Sequence, residues 1–140
     1  GQCSVQRGTL SLYSLSGLYL FIQSINSMRI WHTSLIPHLC QKHLCAMWRE
    51  GLGAYKIIIE GKQGYRNHPA TQEYINAPHA LYGVLALVRD EMLKRGYHPK
   101  EMPVQPQIST NIENIKPWQS IEEQLAILKA KGCKCEVNNL

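Results

Sequence analysis

No P-loop, no G-x-G-x-x-G turn, no H-E-x-x-H helix and no C-x-x-C pair occurs in the 140 residues, so the common nucleotide-cradling and zinc signatures are absent. No apolar run approaches the roughly 20 residues that cross a bilayer. The best candidate, residues 10–25, is broken by Ser11, Ser14, Ser16, Gly17, Gln23 and Ser24. There is no low-complexity tract and no internal repeat. Residues 1–27 lack acidic side chains altogether and carry one charge, Arg7. Their thin basic segment and the want of an A-x-A-like cleavage site argue against a secretion signal. We read 1–27 as an extension outside the native domain, flexible or translated from upstream, with a secretion signal as the alternative.

What remains, residues 28–140, is one domain's worth of chain, enough for a modest single core. The whole chain has 15 Lys+Arg against 10 Asp+Glu, a formal charge of +5. That excess suits an anionic partner such as nucleic acid, although a solvated basic surface gives the same number. The five cysteines, Cys3, Cys40, Cys45, Cys133 and Cys135, are odd in number. Neither close pair has the x2 spacing of a zinc knuckle. On one helix Cys40 and Cys45 would face different ways. Free thiols in a reducing cytosol are therefore expected, with no metal and no cofactor. A metal or redox role would require Cys40 or Cys45 to approach Cys133 and Cys135 in space.

The apolar spacing predicts an all-α domain of about three helices with long loops. Thr33 or Ser34 can cap a first helix with Pro37 in its opening turn. Leu35/Ile36, Leu39/Cys40, Leu44, Met47 and Trp48 then follow a 3.6-residue period to Gly51. Ile57–Ile59 reads either as a short strand or as the same helix resumed, and Gly61, Gly64 and Pro69 mark a loop. Asn76 can cap a second helix with the stripe Leu81, Leu85, Val88 and Met92, closed by Gly96. Four prolines between 97 and 117 rule out a long regular element. Ser120 and Glu123 form a capping box for a third stripe, Ile121, Leu125 and Leu128, which Gly132 ends.

The densest polar cluster is "QKHLCAMWRE", residues 41–50. His43 and Glu50 are seven apart and share a helix face, and Arg49 flanks it about 100° round. A carboxylate beside an arginine can move a proton and hold a phosphate on one nucleotide; the same pair is also an ordinary solvated ion pair. The loop "GYRNHPATQEY", residues 64–74, places Tyr65 beside Arg66. An aromatic and a cation in one loop can stack on a base and hold a phosphate, or serve as plain turn chemistry.

Taken together, "MRIWH" at 28–32, "QKHLCAMWRE" at 41–50 and "MLKRGYH" at 92–98 resemble the pyrimidine dimer DNA glycosylase family typified by phage endonuclease V. The resemblance runs through most of residues 28 to 98. Its largely uncharacterised bacterial branch is similar also through the "HPAT" loop and the C-terminal helix. The resemblance implies a compact, mostly helical monomer that excises damaged pyrimidines from double-stranded DNA and nicks the abasic site, without a cofactor. It also implies that the α-amine of the first residue attacks and that Glu50 assists. Arg29, His43 and Arg49 would occupy the positions of basic residues that contact the DNA. In the phage-type enzyme a small residue follows the initiator methionine, which is removed. Here Arg29 follows, and its bulk protects the methionine, so Met28 itself would supply the amine. If Gly1 is the terminus, residue 28 offers only an amide.

Two readings follow. One is a cytoplasmic DNA glycosylase and abasic-site lyase using Met28 and Glu50, with Arg29, His43, Arg49 and Arg66 on the DNA and no membrane association. The other is a non-catalytic nucleic-acid-binding module on the same helical scaffold.

Overall fold

The computed structural model describes residues 28–107 and 115–140; the expected extension, 1–27, lies outside them. Among the described residues the chain is all-α, without a strand. A 3₁₀ helix spans Thr33–His38. Four α-helices follow: α1 (Gln41–Glu60), α2 (Pro69–Gln72), α3 (Pro78–Lys94) and α4 (Ile121–Ala130). None is long and apolar enough to cross a membrane.

The expected first helix is in fact two elements. His32 caps the 3₁₀ turn, its Nδ1 accepting from the Ser34 amide at 3.1 Å. Pro37 brings no amide hydrogen to extend the ladder, and Leu39 and Cys40 are extended. α1 then starts afresh and runs 20 residues, so Ile57–Ile59 are helical. It ends at Gly61, whose φ of 67° suits a residue without a Cβ.

Gly51 does not stop α1; it lets α1 approach α3, its main packing partner. A Cβ at Gly51 would lie 2.7 Å from Leu85 Cδ2, whereas one at Gly53 would meet nothing within 4 Å. Gly51→Val should therefore cost about 1–3 kcal/mol through overpacking. Gly53→Ala should gain up to about 1 kcal/mol from helix propensity. Urea denaturation of the two variants checks the contrast.

α3 is capped by Ala77 rather than Asn76, with Pro78 in its first turn. Leu81, Leu85, Val88 and Met92 are all buried, as their spacing requires. Arg95, just past the helix, ties the start of the fold to its middle. It donates from Nε to Glu91 Oε2 at 2.7 Å and from Nη2 to the Pro37 carbonyl at 3.1 Å. The α2 turn, capped by the His68 side chain, falls where a plain loop was expected.

The capping box from Ser120 to Glu123 is present at the start of α4. Its buried face differs from the expected stripe. Leu128 is fully buried, but Ile121 and Leu125 are only partly covered, and Gln124 takes the inward place. A buried amide is tolerated because its hydrogen bonds are made. Gln124 Oε1 accepts from the His32 amide at 2.7 Å, and Nε2 donates to the Gln119 carbonyl at 3.1 Å. After α4 the chain returns over the 3₁₀ turn, where the Glu136 amide donates to the His38 carbonyl at 2.8 Å. Cys135 and Val137 join the core formed by Trp31, Leu35, Leu44 and Leu81.

Candidate active site

Glu50 sits midway along α1, half-buried. Its Oε2 accepts a hydrogen bond from the Arg29 backbone amide at 2.7 Å. Burial pushes the Glu50 pKa up. The Arg29 amide and the charges of Arg49, Arg29 and Lys131 pull it back without cancelling that effect. The result is a carboxylate that accepts a proton more readily than a free one, amid cationic groups.

The entering segment, residues 28–32, is clamped from the other side by the C-terminal part of the chain. Arg29 Nη1 donates to Gln119 Oε1 at 2.7 Å. The guanidinium lies 4.8 Å from the centre of the Trp118 ring and 5.7 Å from that of Trp31, both within cation–π range. Trp118 is fixed in turn, its amide donating to Glu73 Oε1 at 2.7 Å and its ring meeting His68 edge-on at 5.4 Å. The space enclosed by Arg29, Trp31, Trp118 and Gln119 is about 10 Å³, room for one water at most. These side chains form a packed wall, not a substrate cavity.

This clamp fixes where Met28 stands. Covalent geometry keeps successive backbone nitrogens within about 3.7 Å of each other. Given the 2.7 Å contact at Arg29, the Met28 nitrogen lies no more than about 6.4 Å from Glu50 Oε2. The Met28 side chain packs against the core.

Of the residues singled out in the sequence, Met28, Arg29, Arg49 and Glu50 therefore come together, with Arg49 exposed at the rim. His43 lies two turns earlier on the same face of α1 and meets other partners. It is buried, with Nδ1 3.1 Å from Cys135 Sγ and its ring edge-on to Trp31 at 5.7 Å. Burial first, then the charges of Lys131 and Lys42, push its pKa down to about 4. It is neutral at pH 7 and has no charge to offer a phosphate. Arg66 lies apart, on the loop between α1 and α2, where its carbonyl accepts from Gln72 Nε2 at 2.6 Å. Among the described residues no hydrogen bond or ion pair joins it to Glu50. Tyr65 beside it is 64% exposed.

Sequence reasoning missed the wall itself: Trp31, Trp118, Gln119 and the nearby Lys131. Trp31 stands inside a quoted motif and could have been found by its place next to Arg29. Trp118 and Gln119 follow a proline-rich stretch and carry no periodic signal.

A family model described as pyrimidine dimer DNA glycosylase matches residues 28–103. The chain belongs to the pyrimidine dimer DNA glycosylase family. No curated protein and no solved structure matches it. Membership of this glycosylase family carries a DNA glycosylase kind of function, with DNA as the substrate. The match begins at Met28, the residue before the amide that Glu50 holds, and ends before Trp118 and Gln119. The far wall of the Arg29 clamp thus comes from outside the matched region.

Proposed function

We propose that this protein, in a form whose backbone begins at Met28, is a DNA glycosylase with abasic-site lyase activity on damaged pyrimidines in double-stranded DNA. The observation that carries the reading is the 2.7 Å contact between Glu50 and the Arg29 amide, which keeps a carboxylate beside residue 28.

The chemistry needs a neutral amine and a nearby base. An unperturbed α-amine has a pKa of roughly 8, so about a tenth is neutral at pH 7, whereas a lysine near 10.4 would need a shift of about three units. The Met28 amine attacks C1′ and the damaged base departs with the electrons of the glycosidic bond. The sugar ring opens as the C1′–O4′ bond breaks, O4′ takes up the proton that the amine gives up, and an imine forms between the amine and C1′. It acidifies C2′, and the Glu50 carboxylate removes a proton there. The electrons expel the 3′ phosphate by β-elimination, and water then hydrolyses the imine to regenerate the amine. Arg49, at the rim beside Glu50, holds a backbone phosphate. Arg66 and the exposed Tyr65 suit a second phosphate and a stacked base. A damaged, poorly stacked nucleotide costs less to flip than an intact one. The protein acts as a monomer and the steps use no cofactor.

The test uses two chains, one starting at Gly1 and one at Met28, each mixed with abasic-site DNA and borohydride. Reduction of the imine should leave a covalent adduct with the chain starting at Met28. The chain starting at Gly1, where residue 28 is an amide, should give none. DNA binding by both without an adduct from either would replace the enzyme with a binding module.

A further inference from the structure

Away from Glu50, the start of α1 meets the C-terminal segment in a group of side chains that the glycosylase chemistry does not use. Cys40 and His43, in a C-x2-H spacing, and Cys133 and Cys135, in a C-x-C spacing, come from parts of the chain about 90 residues apart. Their sulfur atoms and an imidazole nitrogen all lie within 4.8 Å of one another. His43 Nδ1 is 3.1 Å from Cys135 Sγ and 3.6 Å from Cys40 Sγ. Cys133 and Cys135 are free thiols.

We propose that Cys40, His43, Cys133 and Cys135 form a tetrahedral Cys3His site for a zinc ion, which ties the C-terminal segment to the first turn of α1. Three thiolates and an imidazole are a donor set for zinc, not for a hard cation such as magnesium or calcium. With zinc–sulfur bonds of about 2.3 Å, the sulfurs of a tetrahedral site stand about 3.8 Å apart. The 4.8 Å limit on the present separations leaves a contraction of about 1 Å or less, within reach of χ1 rotation. An outer shell is also in place. The Cys40 amide donates to Cys135 Sγ at 3.1 Å, a bond that supports a negatively charged sulfur, and outer contacts of this kind orient metal ligands. The loaded centre carries one net negative charge, and Lys131 and Arg95 lie close enough to interact electrostatically with its cysteines. An open groove of about 430 Å³, lined by Cys40, Gln41, Arg95 and Lys134, gives access from solvent.

Cys40 forms a disulfide, so the site is completed in the reduced chain. A thiol or phosphine reductant supplies two electrons, and two protons are taken up as the disulfide opens. Zinc then displaces one proton from each of the three thiols, while His43 binds through the Nδ1 lone pair as a neutral imidazole. The centre lies two helical turns before Glu50, and the His43 ring bears on Trp31, which faces Arg29. A filled site therefore stiffens the wall behind the Arg29 clamp.

The experiment uses the full chain, reduced with a phosphine and freed of metal, titrated with cobalt and then zinc. Cobalt should bind one per chain, with the strong visible bands of a tetrahedral ion and a sulfur-to-cobalt charge-transfer band in the near ultraviolet; zinc should bleach both. Zinc should slow alkylation of Cys40, Cys133 and Cys135, read by mass spectrometry, and leave the rate at Cys45 unchanged. Cys135→Ser should weaken cobalt binding by about 100-fold or more, as expected for loss of a direct ligand, while Cys45→Ser should stay within about twofold. Cys135 is a core residue and its variant can lose the fold, so the alkylation pattern of the unaltered chain decides the matter. A cobalt spectrum without the charge-transfer band, or zinc protection that spares Cys133 and Cys135, overturns the site. These readouts do not involve DNA, so they stand or fall apart from the lyase chemistry.

Discussion

Glu50→Gln is expected to lower strand cleavage at abasic sites by about 10²–10⁴-fold, the usual contribution of a positioned general base. The amide isostere fills the same volume, and its Oε1 can still accept the Arg29 amide hydrogen. The entering segment therefore stays in place and the change is chemical, not architectural. DNA binding should hold or tighten, because the substitution removes a negative charge from among Arg29, Arg49 and Lys131. Single-turnover cleavage and a binding titration on the same duplex separate the two effects. Cleavage at the original rate would remove Glu50 from the mechanism.

The same substitution makes a stability prediction of the opposite sense. The folded-state pKa of Glu50 lies above that of a free glutamate, so the native protein holds this proton more tightly than the unfolded chain does. Its favourable contribution is complete below the unfolded pKa and is lost as pH rises through the folded one. At neutral pH the ionised carboxylate is thus a burden kept for chemistry. Glu50→Gln should match or exceed the parent in stability, and its advantage should widen from pH 5 to pH 7, as read by urea unfolding at the two pH values. A structural ion pair would behave the other way, losing stability on substitution. The cleavage rate of the parent should climb through neutral pH, because both the base form of Glu50 and the neutral form of an α-amine gain population as protons leave.

Local signals carried much of the fold. The α3 stripe and the capping box of α4 are short-range patterns, legible wherever apolar spacing and caps agree. The division of the first helix was not, because Pro37 fits an opening helical turn as well as a 3₁₀ turn, and the extended Leu39–Cys40 link is set by what packs on it. Gly51 looked like a terminator because its role, admitting Leu85, concerns another helix. At the site, Glu50 and Arg49 were legible through a contiguous motif. Trp118 and Gln119 were not, since they reach Arg29 across about 90 residues of chain. The cysteines show the same limit. Their spacing was uninformative in one dimension, and only the approach of Cys40 to Cys133 and Cys135 gives it a meaning.

Leu128→Ala should be among the most destabilising single substitutions, at about 2–5 kcal/mol, as for a fully buried leucine that leaves a cavity. Leu128 is 1% exposed and shares one core cluster with Leu44, Leu81 and Val88, yet α4 lies beyond the region matched by the family model. If α4 belongs to the same cooperative unit, denaturation should remain a single transition with an unchanged slope and a lower midpoint. The loss should also reach the site. Gln124, one turn earlier on α4, holds the His32 amide, and Gln119 just before the helix holds the Arg29 guanidinium. Loosening α4 therefore frees the segment that carries residue 28 toward Glu50, and cleavage should fall even at temperatures where the variant stays folded. Trp118→Ala, which removes only the wall over Arg29, should reduce cleavage with a much smaller change in midpoint. Should Leu128→Ala instead give an early, separate melting of α4 with the main transition unmoved, α4 would be an appendage, and the clamp on Arg29 could not depend on it.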